Sequence, residues 1–188
     1  MTQSQSCGLK RKLILKCSLQ LYMTLTYSLE FINLLKLNKR QMRIREAETS
    51  DIDQLSKLFD SNRMFYGKES NIDITKKFLE SRLSNKDSKV FICEVNNILT
   101  GFVQLYPLFS STRVSKYWLL NDLFVDSEYR GNGYSKLLID KAKELVKESN
   151  ACGMMLETEK SNKIGNNLYP ETGFKKNNLS NFYEWVPG

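Results

Sequence analysis

The sequence predicts a single α/β domain over residues 42–188, in which a mixed sheet is covered by helices. Three observations indicate this fold class. The 188 residues suit one domain of ordinary size with some excess. Hydrophobic residues make up 41% of the chain and charged residues 26%, which provides enough apolar surface for the core of a soluble domain. Strand-like and helix-like patterns follow one another in the order β-α-α-β-β-β-α-β-α-β.

The first 41 residues are expected to form an extension outside this domain. They contain seven of the 28 basic residues and one of the 21 acidic residues, so residues 42–188 are nearly neutral. Apolar runs that begin at Leu13 and Leu21 are interrupted too often for a signal peptide or a transmembrane helix. Met42 has the position of a natural domain start, and an upstream start codon would account for the extension. A nearly neutral domain lacks the basic surface that binds nucleic acid non-specifically, so we expect neither a nucleic-acid nor a membrane partner.

The first elements are a strand and two helices. Residues 42–47 alternate between apolar and polar side chains, which predicts a strand. Thr49 or Ser50 is suited to cap a following helix, because a hydroxyl can accept a hydrogen bond from the first turn. Asn71 or Asp73 is suited to begin the second helix in the same way.

A hairpin, a strand and a long helix follow. The runs 90–95 and 98–105 are rich in β-branched and aromatic residues, and Asn96 and Asn97 between them tolerate the positive φ of a tight turn. Residues 117–125 form another apolar run, typical of a strand. A helix with one apolar stripe begins after Gly133.

The last part of the domain is expected to hold two strands around a short helix. Residues 154–158 and 181–186 have the composition of strands, and residues 162–169 that of a helix. Cys93 and Cys152 lie in apolar runs, so both are expected to be small buried side chains.

The cysteine and histidine content excludes several kinds of chemistry. The chain has no histidine, and its four cysteines form no CxxC pair. A histidine base is therefore excluded, as are the common zinc ligand sets, and no metal is expected. Unpaired cysteines are typical of a reducing compartment, which predicts a cytoplasmic protein. The cysteines are Cys7, Cys17, Cys93 and Cys152.

A glycine-containing turn at residues 126–133 joins a strand to the long helix. Gly131 and Gly133 allow a ligand to approach the backbone, and the helix behind them offers unpaired N–H groups. Arg130 adds a fixed positive charge. These features suit an anion such as phosphate, although on the two glycines alone a plain turn is an equal alternative.

Two segments together resemble the GNAT superfamily of N-acetyltransferases. The segment 122–135, Asp-Leu-Phe-Val-Asp-Ser-Glu-Tyr-Arg-Gly-Asn-Gly-Tyr-Ser, resembles the acetyl-CoA signature Arg/Gln-x-x-Gly-x-Gly/Ala after a strand. Ser135 stands where glycine or alanine is usual. The segment 162–174 resembles the later pattern Asn-x-x-Ala/Gly-x-x-Leu-Tyr-x-x-x-Gly-Phe, with Pro170 as a departure that disfavours helix at Tyr169.

The resemblance implies a mostly antiparallel sheet flanked by helices and a binding site for acetyl-CoA as co-substrate. The N–H groups of residues 131–135 would hold the pyrophosphate, and the strand backbone would pair with the pantetheine arm. Asn162 matches a residue that often bonds the coenzyme, although it could equally be a helix N-cap. The implied coenzyme-binding residues are Leu123, Phe124, Val125, Arg130, Gly131, Asn132, Gly133, Tyr134, Ser135 and Asn162.

The same resemblance implies a catalytic acid. Tyr169 matches the tyrosine that protonates the departing thiolate, and its alternative is a packed aromatic side chain. The attacking amine also needs a base. Asp122, on the strand beside the acetyl group, is the first candidate and Glu157, on the next strand, is the second. Asp122 could instead be a hydrogen-bonded structural residue or a carboxylate that recognises a cation.

The acceptor stays open on sequence grounds. We expect acetyl transfer to a primary amine of a small molecule or amino acid. The alternatives are a lysine of a protein, a non-catalytic acyl-CoA-binding module and, against the neutral charge of the domain, an RNA-directed enzyme. Family members are often homodimers. The aromatic residues that could line an acceptor pocket are Tyr66, Tyr106, Phe109, Tyr117, Trp118, Tyr183 and Trp185.

Overall fold

The computed structural model describes residues 41–187, which form a mixed α/β domain as predicted. Short 3-10 turns precede the first and third helices, at Thr49–Asp51 and Ser127–Tyr129. The strands and helices are β1 (Met42–Glu46), α1 (Ile52–Phe65), α2 (Ile72–Asn85), β2 (Lys89–Val95), β3 (Ile98–Ser110), β4 (Ser115–Val125), α3 (Tyr134–Glu148), β5 (Met154–Leu156) and α4 (Lys163–Glu171).

The five described strands form one sheet in the order β1-β2-β3-β4-β5. The first three pairs are antiparallel, and only β4 and β5 run parallel. The expected mostly antiparallel sheet is therefore confirmed. A parallel pair needs a long crossover, which α3 provides between β4 and β5.

Each face of the sheet carries its own apolar core. In β2, Phe91 and Cys93 belong to the core that includes α3, and Val90 and Ile92 belong to the core that includes α1 and α2. Successive side chains of a strand lie on opposite faces, so an uninterrupted apolar run is buried on both sides. This explains why β2 shows no polar alternation.

The start of the first helix differs from the prediction. Thr49 and Ser50 lie within the 3-10 turn and do not cap α1, which begins at Ile52. The carboxylate of Asp51 accepts a hydrogen bond from the backbone N–H of Glu48 (2.8 Å) and closes the turn. The N-cap position of α1 is therefore occupied by Asp51, and the predicted N-cap at Thr49 or Ser50 is wrong.

The second helix and the hairpin agree with the prediction. Asn71 caps α2, since its Oδ1 atom accepts a hydrogen bond from the backbone N–H of Ile74 (3.1 Å). Asn96 and Asn97 join β2 to β3 with φ angles of 52° and 65°. Two consecutive positive φ values match the right-handed twist of the strands on either side.

The final predicted strand is absent from the described residues. Residues 181–186 have no regular secondary structure, and Tyr183 and Trp185 are more than 80% exposed. Strand composition alone does not make a strand, because the backbone needs a partner edge. β5 also ends at Leu156, before the predicted Thr158, where it separates from β4.

One cysteine differs from the prediction. Cys93 is fully buried in β2 as expected, whereas Cys152 is exposed in the turn before β5. The apolar run that suggested burial for Cys152 begins only at Met154, so the cysteine precedes the strand.

The predictions for residues 1–41 concern a segment that lies outside the described residues apart from Gln41. Between residues 41 and 187, no helix is both long enough and apolar enough to cross a membrane.

Candidate active site

A cavity opens where β4 and β5 separate. Their pairing ends with Leu120 opposite Leu156, and β4 continues to Val125 bonded to β3 alone. At this point β4 has a β-bulge. Gln104 of β3 pairs with Asp122 and Leu105 pairs with Leu120, so Asn121 is the extra residue. The resulting cavity has a volume of about 260 Å³.

The cavity is walled by β4, the turn after it, α1 and α4. Residues from β4 and the turn are Leu120, Asn121, Leu123, Phe124, Val125, Tyr129, Arg130, Gly131, Gly133, Tyr134 and Ser135, and those from other elements are Asn62, Phe65, Tyr66, Glu157, Asn162, Ile164, Gly165, Leu168 and Tyr169.

The turn before α3 presents unpaired donors to this cavity. Gly131 and Gly133 both have a φ of 79°, a left-handed conformation that favours glycine. Within the described residues, no acceptor bonds the backbone N–H groups of residues 131–135. Together with the positive end of the α3 dipole, these donors fit a phosphate group. The phosphate site stays a prediction that this geometry suits.

Side chains of the turn hold this geometry. Asp126 caps the 3-10 turn by accepting from the N–H of Glu128 (2.9 Å). Arg130 donates from Nε to the carbonyl oxygen of Val125 (2.9 Å), which leaves its outer nitrogens available to a ligand. Asn132 donates from Nδ2 to the carbonyl oxygen of Tyr129 (2.9 Å).

The structure brings most of the predicted coenzyme-binding residues together. Every one of them lines the cavity except Asn132, whose side chain is hydrogen-bonded to the backbone of the turn. Phe124 also lines it, although most of its ring is in the core beside α1.

Asn162 is the N-cap of α4, which was one of its two expected roles. Its Oδ1 atom accepts from the N–H of Gly165 (3.0 Å), and its Nδ2 atom donates to Oγ1 of Thr158 (3.0 Å). A Cβ atom at Gly165 would lie 2.8 Å from Nδ2 of Asn162, so any larger residue would require the Asn162 side chain to move. The asparagine and glycine of the later segment therefore form one packed cap at the cavity wall.

The end of α4 fixes the position of Tyr169. The N–H of Phe174 bonds the carbonyl oxygen of Tyr169 (3.0 Å), the N–H of Gly173 bonds that of Pro170 (3.0 Å), and Gly173 has a φ of 86°. This is a Schellman cap, in which the first and last residues usually make an apolar contact. Here the rings of Tyr169 and Phe174 meet edge to face at 5.8 Å.

Pro170 does not displace Tyr169 from the helix. α4 continues to Glu171 with Pro170 in its last turn. The cost of a proline there is one lost hydrogen bond near the end of a helix, where the cap supplies others. The predicted end of the helix at Tyr169 is therefore wrong by two residues.

The phenol of Tyr169 lines the cavity in its protonated form. Burial and the neighbouring Tyr66 raise the pKa of Tyr169 to about 12. Burial, with the charges of Asp122 and Glu159, also raises the pKa of Tyr66. Both hydroxyls are thus proton donors at neutral pH, and both residues belong to the same cavity.

Asp122 lies behind the cavity wall, between two asparagines. Its Oδ1 atom accepts from Nδ2 of Asn62 (3.0 Å), and its Oδ2 atom accepts from Nδ2 of Asn121 (2.8 Å). Burial raises the pKa of Asp122, while the two amides act in the opposite direction. Glu157, the second candidate base, lines the cavity directly.

Sequence reasoning missed Asn62. It lies on the stripe of α1 that also contains Leu55, Leu58 and Phe59, and it is only 4% exposed. A polar residue within an apolar stripe could have indicated a hydrogen-bonded role, because buried amides require partners.

One of the aromatic residues proposed for an acceptor pocket lines the cavity. Tyr66 does so from the end of α1. Trp118 belongs to the core beside α3. Phe109 is exposed at the far end of β3, and Tyr183 and Trp185 are exposed in the C-terminal segment.

Comparisons with known proteins show which proteins this chain is similar to. The profile of the acetyltransferase (GNAT) family matches residues 52–174. The uncharacterized N-acetyltransferase YhfO of Bacillus subtilis (strain 168) is 37% identical over 72% of this chain and 91% of its own length. A probable acetyltransferase of Haemophilus influenzae is 31% identical over 76% of this chain and 97% of its own. The crystal structure of a probable acetyltransferase superposes with a TM-score of 0.74 at 33% identity, covering 78% of this chain and 98% of that protein.

Proposed function

The chain belongs to the GNAT family of acetyltransferases and is an acyltransferase, and we propose that it transfers the acetyl group of acetyl-CoA to a primary amine of a small molecule. One observation carries the proposal. The turn with unpaired N–H groups and Tyr169 line a single cavity. Acetyl-CoA held by its phosphates at the turn would therefore extend toward the Tyr169 hydroxyl, which can supply a proton.

The binding of the donor would follow from β4 and the turn. Arg130 and the open N–H groups of residues 131–135 would take the pyrophosphate. Beyond Leu120, one edge of β4 has no strand partner in the described sheet. That edge offers backbone groups to the amides of the pantetheine arm, as a neighbouring strand would.

The transfer would proceed by direct attack. The amine nitrogen forms a bond to the acetyl carbon, and the carbon–sulfur bond breaks. Tyr169 would give its proton to the leaving sulfur, because its raised pKa keeps the phenol protonated. The amine gives up one proton, which would return to Tyr169 through a base or water.

Two carboxylates are candidates for accepting the proton of the amine. Glu157 lines the cavity, and Asp122 is one hydrogen bond behind it. Replacing Glu157 with Gln should lower kcat strongly if Glu157 is the base, because the amide cannot accept the proton. An unchanged kcat in this variant would point to Asp122 or to water.

The size of the cavity supports a small acceptor. About 260 Å³ must also hold the reactive end of the donor. A lysine side chain of a protein could enter through the same opening, so a protein acceptor is the second candidate.

The test is a turnover assay on the full chain. Purified protein is given acetyl-CoA and a panel of polyamines, amino acids, aminoglycosides and lysine peptides, and release of free thiol is recorded. Turnover with one amine class is expected, and that class would identify the acceptor. Binding of acetyl-CoA is measured in parallel by thermal unfolding, since a ligand of the folded state raises Tm.

Two results would contradict the proposal. Tight acetyl-CoA binding without turnover of any amine or peptide would favour a non-catalytic acyl-CoA-binding module. Absence of both binding and turnover would reject the donor site itself.

We further propose a cytoplasmic location. Cys152 is exposed and Cys93 is buried, and both are free thiols, which suits a reducing compartment. Fractionation of producing cells would test this location.

A further inference from the structure

The bulge of β4 places three polar side chains in a row at the cavity. Asn62, Asp122 and Asn121 are linked by the two hydrogen bonds described above. Asn62 and Asn121 line the cavity, whereas Asp122 does not. The two hydrogen-bond partners of the carboxylate therefore line the cavity, and the carboxylate itself does not.

The chemistry of Asp122 determines how both amides are turned. An ionised carboxylate has no hydrogen to donate, so each asparagine must present its NH2 group to it. The carbonyl oxygen of an amide lies on the other side of the same carbon. Each Oδ1 atom is thus directed away from Asp122, and neither has a hydrogen-bond partner within residues 41–187.

We propose that Asp122 is a positioning residue, which orients Asn62 and Asn121 so that their two carbonyl oxygens accept the N–H bonds of the acceptor amine. This inference rests on the proposed acetyl transfer. A primary amine has two N–H bonds and one lone pair, so two acceptors would fix the direction of the lone pair. Neutral amide oxygens also stabilise an ammonium ion less than a carboxylate would, and they leave the amine free to lose its proton.

The alternative role of Asp122 is direct contact with the amine as its base. The two roles differ in what happens when the amides are removed. A base acts without Asn62 and Asn121, whereas a positioning residue acts only through them. The coupling between substitutions therefore separates the roles.

The experiment uses the full chain and the best amine of the panel. In Asn121→Ala, the KM for the amine should rise about tenfold and kcat should also fall, because the lone pair is no longer directed, while the KM for acetyl-CoA changes little. Asn121 is exposed, so this variant should fold. Asn85→Ala removes an exposed amide of α2 outside the cavity and is the matched control.

The decisive comparison is made in the double variant. Adding Asp122→Asn to Asn62→Ala/Asn121→Ala should cause no further loss of kcat/KM. The affinity of each variant for acetyl-CoA is measured to check that its cavity is still folded. If the variants at Asn62 and Asp122 do not fold, Asn121→Ala alone tests the inference.

Two outcomes would overturn the inference. An unchanged amine KM in Asn121→Ala would show that its carbonyl is not used. A further loss of about a hundredfold on adding Asp122→Asn would show that the carboxylate itself meets the amine. In both cases the parent enzyme turns over, so the proposed function stands; only a parent inactive with every amine would overturn that function too.

Discussion

Tyr169 shows how much a single residue depends on its surroundings. The resemblance of residues 162–174 to the family pattern made Tyr169 a candidate, and the structure adds that the spacing Tyr-x-x-x-Gly-Phe is the spacing of a Schellman cap. Asn62 could not be found in this way. It is 60 residues from Asp122 in sequence, and no local pattern links a helix stripe to a distant β-bulge.

Replacing Tyr169 with Phe should lower kcat by about 10²–10³-fold, because the leaving sulfur loses its proton donor. The KM for acetyl-CoA should change little, since the ring still packs on Phe174. Steady-state kinetics tests this expectation. Tyr117→Phe, which removes a hydroxyl outside the cavity, is the control.

The pH profile offers an independent check on Tyr169. Its pKa of about 12 means that the phenol stays protonated at any lower pH, so kcat should have no alkaline limb from this group below that value. An alkaline limb near the ordinary tyrosine pKa that disappears in Tyr169→Phe would contradict the raised pKa of Tyr169, while it would still identify Tyr169 as the proton donor.

Arg130→Ala should weaken acetyl-CoA binding by about tenfold through the loss of a charge-assisted hydrogen bond. Calorimetric titration at several salt concentrations tests this expectation, and the variant should show a smaller salt dependence. Arg113→Ala removes an exposed positive charge outside the cavity and should have neither effect. Equal losses in both variants would mean that only the overall charge matters.

At the scale of elements, local signals predicted what local chemistry determines. The Asn96–Asn97 turn and the start of α3 after Gly133 require particular backbone angles, and the sequence shows the residues that adopt them. The separation of β4 from β5 and the missing strand at 181–186 depend on pairing between distant segments. The composition of a segment does not specify which strand of the sheet it will pair with.

The cap of α4 gives a prediction about stability. Gly173→Ala forces a side chain into a φ of 86° and should lower the free energy of unfolding by about 1 kcal/mol. It should also lower kcat, because Tyr169 is the first residue of the same cap. Chemical denaturation and kinetics measure the two effects.

Asn150→Ala is the matched control for this variant. Asn150 has a φ of 51° after α3 and lies outside the cavity. The substitution should cost similar stability without changing kcat. A loss of kcat of the same size in both variants would mean that general destabilisation, and not the position of Tyr169, lowers the rate.

At the scale of the whole molecule, the C-terminal segment of the described residues carries an exposed apolar surface. Scattered exposed apolar residues are normal, but several in one short segment indicate an interaction site. We propose that this segment contacts a second copy of the chain and forms a homodimer. The residues are Leu179, Phe182, Tyr183, Trp185 and Val186, each at least 68% exposed.

Light scattering after gel filtration tests the homodimer. The parent chain should be dimeric at micromolar concentration, and Trp185→Ser combined with Phe182→Ser should be monomeric. Phe109→Ser removes an aromatic side chain that is 79% exposed elsewhere and should leave the dimer intact. A monomeric parent would reject the proposal.

The turn that presents its N–H groups to the cavity should also limit how long a preparation stays active. Asn132 is followed by Gly133, and the absence of a side chain there allows the glycine nitrogen to attack the amide carbon of Asn132, which releases ammonia and leaves a succinimide. Water then opens the succinimide to aspartate or isoaspartate, and the new carboxylate would face the carbonyl oxygens of Tyr129 and Arg130 that now accept from Asn132. The new negative charge would stand beside the phosphate site, so aged protein should lose affinity for acetyl-CoA while it remains folded.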